Sequence, residues 1–153
     1  MNVINNAINR IGYLIKTLPD NIEMIPEKEL HHKPAHDKWS KKEILGHLCD
    51  SAINNLTRFV KIQFEKLPYK VEHYDQDNWV KANGYHSSPI DSIIDFWITA
   101  NSRIVDVISK IPEEKLAYEC IIPEGDTKTL LWLIEDYLNH MEYHLKQIVG
   151  NEL

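Results

Sequence analysis

The stretch LLWLIEDYLNHMEYHLKQIV, residues 130–149, has apolar residues at helical spacing throughout and predicts a long amphipathic helix. His140 and His144 lie four residues apart in it, so their side chains share one face, about 40° apart around the helix axis. Tyr137 and Met141 lie on the same side, which identifies this face as the one that packs against the rest of the protein. Two imidazoles placed in this way can bind one metal ion together.

Three further helices are predicted, so that the chain folds as an all-α four-helix bundle in a single domain, residues 1–153. The second helix begins with a capping box, in which Ser40 is the N-cap and Glu43 reaches back to it. The third begins with Ser88 as its cap and Pro89 at its first helical position. The predicted helices cover about residues 2–17 (ended by Pro19), 40–65, 88–111 and a fourth span capped near Thr127 or Thr129 and ended by Gly150.

Two long loops are predicted, one between helices two and three and one between helices three and four. The first spans residues 67–87 and is rich in aromatic and acidic residues. The second spans residues 113–126 and contains a candidate short strand at residues 118–122. Long loops in a compact domain often carry function, so we expect these two to contribute to a site.

Composition and charge restrict the classes of function. The chain has 17 basic and 23 acidic side chains, a net charge of −6, and no strongly basic segment, so we expect no nucleic-acid partner. The two cysteines, Cys49 and Cys120, are far apart in sequence and fit a reduced compartment. Neither a signal peptide nor an apolar run of membrane-spanning length is recognisable. The sequence therefore predicts a cytoplasmic protein without membrane contact.

The pair formed by His140 and His144 differs from a second pair at the same spacing. His32 and His36 are also four residues apart, but Pro34 lies between them and prevents a regular helix. Two inward-facing histidines are costly to bury without a partner, which favours a bound metal over a core pair. A third imidazole from another helix would complete three protein ligands and leave one position open, as in catalytic zinc sites.

His47 has two interpretations. On the predicted second helix it shares a polar face with Asp50, Ser51, Asn54 and Arg58. This face is either a solvated surface or the polar wall of a cleft, in which Asp50 or Asn54 would orient the histidine. The pattern of residues leaves both interpretations open.

The zincin metalloproteases can be excluded. Their motif has glutamate directly after the first histidine, whereas here the order is His140-Met-Glu-Tyr-His144. Glu142 lies about 200° from His140 around the helix, so we expect it to be a surface residue.

Three segments resemble the DinB/YfiT-like superfamily in order and spacing: WSKKEILGHLCDS at 39–51, YDQDNW at 74–79, and the run from Trp132 to His144. The resemblance extends over nearly the whole chain. It implies a four-helix bundle, often a homodimer, that holds one divalent metal ion through three histidines. Mapped by motif, these are His47, His140 and His144, which favours the cleft interpretation of His47. Imidazole suits zinc, nickel, copper and iron alike, and of these we expect zinc or nickel.

The resemblance also implies a choice of activities. Members of the superfamily include S-transferases that use low-molecular-weight thiols such as bacillithiol, and also hydrolases and isomerases. The first hypothesis is transfer of such a thiol to an electrophilic small molecule; the second is hydrolysis of a small amide or ester. A metal held by neutral imidazoles lowers the pKa of bound thiol or water, which serves either reaction. A non-catalytic metal-binding bundle and a metal-free interaction protein are the remaining alternatives.

Further residues are candidates for supporting roles. Asp50 is an orienting group or base, or else a surface carboxylate. Arg58 either binds a substrate carboxylate or is an ordinary solvated charge. Cys49 lies about 200° from His47 on the helix, so we expect a core thiol. Four residues are candidates for a lid or pocket wall: Tyr74, Asp75, Trp79 and Tyr137. For the first three of these, a packed loop is the alternative.

Overall fold

The structure, a computed structural model, describes residues 2–151 and 153 of the chain. Its four long helices are α1 (Asn2–Glu23), α3 (Lys41–Lys61), α5 (Ile90–Ile108) and α6 (Leu130–Val149). The shorter helices are α2 (Glu27–His31) and α4 (Gln76–Asn83), with 3₁₀ turns at Tyr85–Ser87 and Glu113–Ala117. Three short strands complete the fold: β1 (Tyr69–Lys70), β2 (Glu119–Ile121) and β3 (Thr127–Thr129).

The four long helices pack as a bundle. Helices α1 and α3 each contact both α5 and α6, so α1 and α3 lie diagonally across the bundle. The apolar faces meet in one core, whose completely buried side chains include Ile11, Leu14, Phe59, Trp97, Ile104 and Leu145. The predicted four-helix bundle is therefore confirmed. Among the described residues, no helix is long and apolar enough to cross a lipid bilayer.

The first helix is longer than predicted. Pro19 was expected to end it, but α1 continues through Pro19 to Glu23. A proline inside a helix removes one main-chain hydrogen bond and costs about 3 kcal/mol. Leu18 and Ile22 on either side of Pro19 are almost completely buried, at 1% and 0% exposure. Burial of each side chain contributes about 1.5–3 kcal/mol, which offsets the cost of the proline.

Two of the three later long helices begin at the cap residue that was predicted. The capping box before α3 is confirmed: the Glu43 amide donates to Ser40 Oγ at 3.2 Å, and the Ser40 amide donates to Glu43 Oε1 at 3.1 Å. Thr129 caps α6 by accepting from the Trp132 amide. The prediction for α5 was wrong, because Ser88 Oγ donates instead to the Gly84 carbonyl at 3.1 Å and the helix begins after Pro89.

The two predicted loops contain regular structure. Strand β1 lies parallel to β2, and β2 lies antiparallel to β3, so the two loops form one small sheet. The candidate strand in the second loop is confirmed as β2. Helix α4 was not predicted; it packs against α3 and begins where Asp75 Oδ1 accepts from the Asn78 amide. The segment is short, and most of its side chains are exposed, so it has little apolar periodicity to detect.

Gly46 allows the aromatic ring of Tyr85 to lie directly against α3. A Cβ atom built on Gly46 would lie 2.1 Å from Tyr85 Cδ2 and 2.2 Å from its Cγ. We expect Gly46→Ala to displace this ring and to lower the free energy of unfolding by about 1–3 kcal/mol, measured by urea denaturation. Apart from the backbone of α1 itself and the residues next to Gly12, no atom of the described residues lies within 4 Å of such a Cβ on Gly12, so Gly12→Ala is the control. We expect that control to gain about 0.5–1 kcal/mol; equal effects of the two changes would contradict the prediction.

Candidate metal centre

Two helices bring three histidine side chains together. His47 lies on α3, and His140 and His144 lie one turn apart on α6, which packs against α3. The Nε2 atoms of His47 and His140 are 3.2 Å apart. Each of the three imidazoles offers a ring nitrogen, and these three atoms all lie within 4.8 Å of one another. The pair predicted from spacing on α6 and the single histidine of α3 therefore form one cluster.

Burial favours the neutral form of two of these imidazoles, those of His47 and His140. His47 is completely buried, and burial followed by the nearby His140 and His144 lowers its pKa to about 3. Burial and then His144 lower the pKa of His140 to about 4. A neutral imidazole has one nitrogen with a free lone pair, which is the form that binds a metal. At neutral pH His47 and His140 are thus ready to bind a cation without first losing a proton.

The cluster fits a three-coordinate protein site for a divalent metal. His144 Nδ1 lies 2.8 Å from Gln147 Oε1 on the next turn of α6. When Nδ1 carries the proton, it donates to that amide oxygen and leaves Nε2 with its lone pair, as ligating histidines commonly do. The buried Nδ1 of His47 has no hydrogen-bond partner among the described residues. Three imidazoles would leave further coordination positions open.

Trp39 covers the cluster on one side. Its ring lies 4.7 Å from the ring of His47, centre to centre, with the planes inclined by 34°, and 6.5 Å from that of His144. Because Trp39 immediately precedes the N-cap Ser40, the capping box also holds this ring in place. A role for Trp39 at the site was not predicted, and its position directly before the cap was the available signal.

Asp50 lies one turn beyond His47 and is 1% exposed, so the surface alternative for this residue was wrong. Its Oδ1 accepts from the Tyr85 hydroxyl at 2.6 Å and from Asn83 Nδ2 at 3.0 Å. Burial raises the pKa of Asp50 to about 6, although the Tyr85 hydrogen bond acts in the opposite direction. Sequence reasoning missed Tyr85 and Asn83, because they reach Asp50 from the segment that was predicted as a loop.

An open cavity of about 310 Å³ is lined by His140 and by other residues of α3, α6 and the two segments that connect the long helices. Of the predicted pocket residues, Arg58, Tyr74 and Tyr137 line it. Ser51, which belongs to the polar face predicted around His47, also lines it. The other polar lining residues were not predicted: Asn55, His73, Gln76, Glu124 and Asp136. Part of the polar face of the second predicted helix, Ser51 and Arg58, therefore forms a wall of this cavity.

Two other predicted pocket residues do not line this cavity. Asp75 instead caps α4, and its two carboxylate oxygens accept from the amide and the side chain of Asn78. Trp79 packs edge-on against Tyr74, with ring centres 5.6 Å apart, so it supports the wall from behind. The packed-loop alternative describes these two residues better than a direct contact with substrate.

The remaining predicted residues have clear positions. Tyr137 is buried, and its hydroxyl donates to Asn101 Oδ1 in the core, so only its ring faces the cavity. Cys49 is a completely buried thiol that donates to the Ile93 carbonyl, and burial raises its pKa, as expected of a core thiol. Glu142 forms an ion pair with Arg10 of α1.

Comparison with known proteins gives relatives at low identity. The chain is 22% identical over 148 residues to "putative metal-dependent hydrolase OB0782" of Oceanobacillus iheyensis, covering 97% of this chain and 85% of the relative. It is 23% identical over 145 residues to "putative metal-dependent hydrolase OB0413" of the same organism, covering 95% and 79% of the two chains.

Solved structures show the same fold. YfiT from Bacillus subtilis, described as "a probable metal-dependent hydrolase with an unusual four-helix bundle topology", superposes with a TM-score of 0.84 at 17% identity. The match covers 95% of this chain and 83% of YfiT. A mycothiol-dependent maleylpyruvate isomerase superposes with a TM-score of 0.71 at 12% identity, and this chain spans only 60% of its length.

A family model that matches most of the chain identifies the family. The model of the DinB superfamily matches residues 14–148, a span that includes all three histidines of the cluster and the cavity beside it. The family and the cluster together support a metal-dependent function. The chain belongs to the DinB superfamily.

Proposed function

We propose that this protein is an enzyme in which His47, His140 and His144 hold one divalent metal ion, zinc or nickel. The observation that carries the proposal is the convergence of three imidazoles, two of them kept neutral by burial, beside an open cavity that His140 lines. A metal bound there would lower the pKa of a thiol or water molecule that it binds. Three histidines without a carboxylate leave the charge of the ion undiminished, which strengthens that effect.

The reaction we propose is transfer of a low-molecular-weight thiol to a small electrophile. The thiolate sulfur forms a bond to an electrophilic carbon, and the bond from that carbon to its leaving group breaks with its electron pair. The thiol proton is released to solvent through the open cavity. Arg58 lies in the cavity wall, where its guanidinium can bind a carboxylate of one reactant.

Asp50 is proposed as a positioning residue. It is absent from the cavity lining, and its carboxylate contacts Tyr85 and Asn83. These contacts link α3 to the end of α4 and fix the position of α3 one turn from His47. This arrangement favours a role for Asp50 in positioning His47 over a role in direct proton transfer.

Hydrolysis of a small amide or ester is the second candidate, because the names of OB0782, OB0413 and YfiT all describe metal-dependent hydrolases. A non-catalytic metal-binding bundle is the third. We also retain the homodimer implied by the resemblance as part of the proposal; light scattering of the purified protein tests it.

Thiol dependence of turnover distinguishes the candidates. Untagged, metal-loaded protein is incubated with 1-chloro-2,4-dinitrobenzene and a thiol, and separately with p-nitrophenyl acetate without thiol. We expect release of chloride and formation of the thioether at a rate that saturates with thiol, and loss of this activity in His140→Ala. Ester cleavage without thiol would favour the hydrolase instead. If the loaded wild type shows no more turnover than His140→Ala in either assay, the protein is not the enzyme proposed.

A further inference from the structure

The cavity beside the histidine cluster carries charges of both signs. Arg58 comes from α3, Asp136 comes from α6, and Glu124 comes from the turn between β2 and β3. Asp136 lies one helical turn before His140, so both side chains are on the same side of α6. A ligand that reaches His140 through this cavity therefore passes a cation and two carboxylates.

Arg58 is held in place by uncharged acceptors. One nitrogen of its guanidinium donates to the Glu72 main-chain carbonyl at 2.7 Å, and another donates to Asn55 Oδ1 at 3.4 Å. The guanidinium carbon also lies 5.8 Å from the centre of the Tyr74 ring. These contacts orient the group without neutralising its charge, and a guanidinium has five N–H donors in all. Arg58 thus retains both charge and donors for a carboxylate in the cavity.

Asp136 has a different environment. Its pKa is raised by burial and then by Glu124, whereas Arg58 acts to lower it, so the three charges are near enough to influence one another. The side chain of Asp136 is nevertheless exposed to the cavity. Two neighbouring carboxylates favour an ammonium group and disfavour a second anion. The cavity therefore contains a cationic group at Arg58 and an anionic group at Asp136.

We propose that this cavity binds a zwitterionic thiol, in which Arg58 pairs with a carboxylate and Asp136 with an ammonium group while the sulfur points to the histidine cluster. The inference rests on the proposed function, because it names the class of thiol that the metal centre uses. At about 310 Å³ the cavity is at the small end of ligand pockets, which span about 300–1,000 Å³. It suits a thiol of the size of free cysteine, which carries both a carboxylate and an ammonium group.

The test compares four small thiols that carry different charged groups. They are L-cysteine with both groups, 3-mercaptopropionate with the carboxylate, cysteamine with the amine, and 2-mercaptoethanol with neither. Untagged protein is loaded with Co²⁺, and binding of each thiol is followed through the sulfur-to-cobalt charge-transfer absorption. This readout reports affinity and does not depend on turnover. We expect L-cysteine to bind most tightly, by about tenfold or more over 2-mercaptoethanol.

Two substitutions test which side chain binds each charged group of the thiol. Arg58→Gln should weaken L-cysteine and 3-mercaptopropionate by about 10- to 100-fold and leave cysteamine unchanged, since a charge-assisted hydrogen bond is lost. Asp136→Asn should weaken L-cysteine and cysteamine by about 2- to 5-fold, a smaller effect because Asp136 is exposed. Arg58→Lys should recover part of the carboxylate preference. Arg103→Gln and Asp106→Asn, which alter an exposed pair on α5, are the matched controls and should change nothing.

The outcomes separate this inference from the proposed function. Four thiols bound with equal affinity, or a preference for L-cysteine that neither Arg58→Gln nor Asp136→Asn reduces, would overturn the zwitterion assignment while the metal centre and thiol chemistry stand. Co²⁺ bound without any charge-transfer band would overturn the thiol-transferase proposal itself. No uptake of Co²⁺ would overturn the metal centre.

Discussion

His140→Ala is expected to remove the metal from this protein. We expect untagged wild type to contain one divalent ion per chain by elemental analysis and the variant to contain essentially none. In a competition titration with a chelator, affinity should fall by more than about 100-fold, because loss of even an outer hydrogen-bond partner of a ligand costs about 10–100-fold. The imidazole that is lost has its Nε2 atom 3.2 Å from that of His47, at the centre of the cluster.

The melting temperature gives an independent readout of the same change. A ligand that binds only the folded state stabilises it by about 2.7 kcal/mol at 100 times its dissociation constant. Wild type should therefore melt higher with added metal than with chelator, and His140→Ala should show no such difference. His36→Ala removes an exposed histidine from outside the cluster and should behave as wild type. A variant at position 140 that keeps its metal, or a wild type that takes up none, would contradict the assignment.

Asp50→Asn is expected to stabilise the metal-free protein above pH 6 and to leave it unchanged near pH 3.5. The pKa of Asp50 is raised by burial from its ordinary value of 3.8 to about 6. The folded state therefore keeps its proton to a higher pH than the unfolded state, so stability falls as the pH rises from about 4 to 6 and is then constant. The full penalty is on the order of 3 kcal/mol, since one pKa unit corresponds to about 1.4 kcal/mol.

An asparagine at this position carries no charge and keeps the oxygen that accepts from Tyr85. Urea denaturation of chelator-treated protein at a series of pH values from 3.5 to 8 measures the difference between wild type and variant. Asp95→Asn, an exposed carboxylate on α5, is the control and should run parallel to wild type. If the free energy of unfolding of Asp50→Asn also changed with pH as that of wild type does, the buried carboxylate would not be the source of the pH dependence.

Much of the secondary structure could be predicted because its signals are local. The capping box of Ser40 and Glu43, the Thr129 cap and the apolar stripes of the long helices all involve residues within one or two turns of each other. The wrong prediction at Pro19 arose because only a local effect was considered. Pro19 was judged by its own effect on a helix, whereas burial of Leu18 and Ile22 against other helices outweighs that effect.

The pairing of His140 with His144 follows from the amino-acid order, because a helix places residues i and i+4 on one face wherever it lies. The position of His47 beside them does not, since 93 residues separate it from His140 and its own polar pattern is equally that of a solvated helix. The contacts of Asp50 with Tyr85 and Asn83, and the meeting of Arg58 and Asp136 in one cavity, likewise join distant segments. Such contacts depend on how the helices pack, and the packing is set by the whole core.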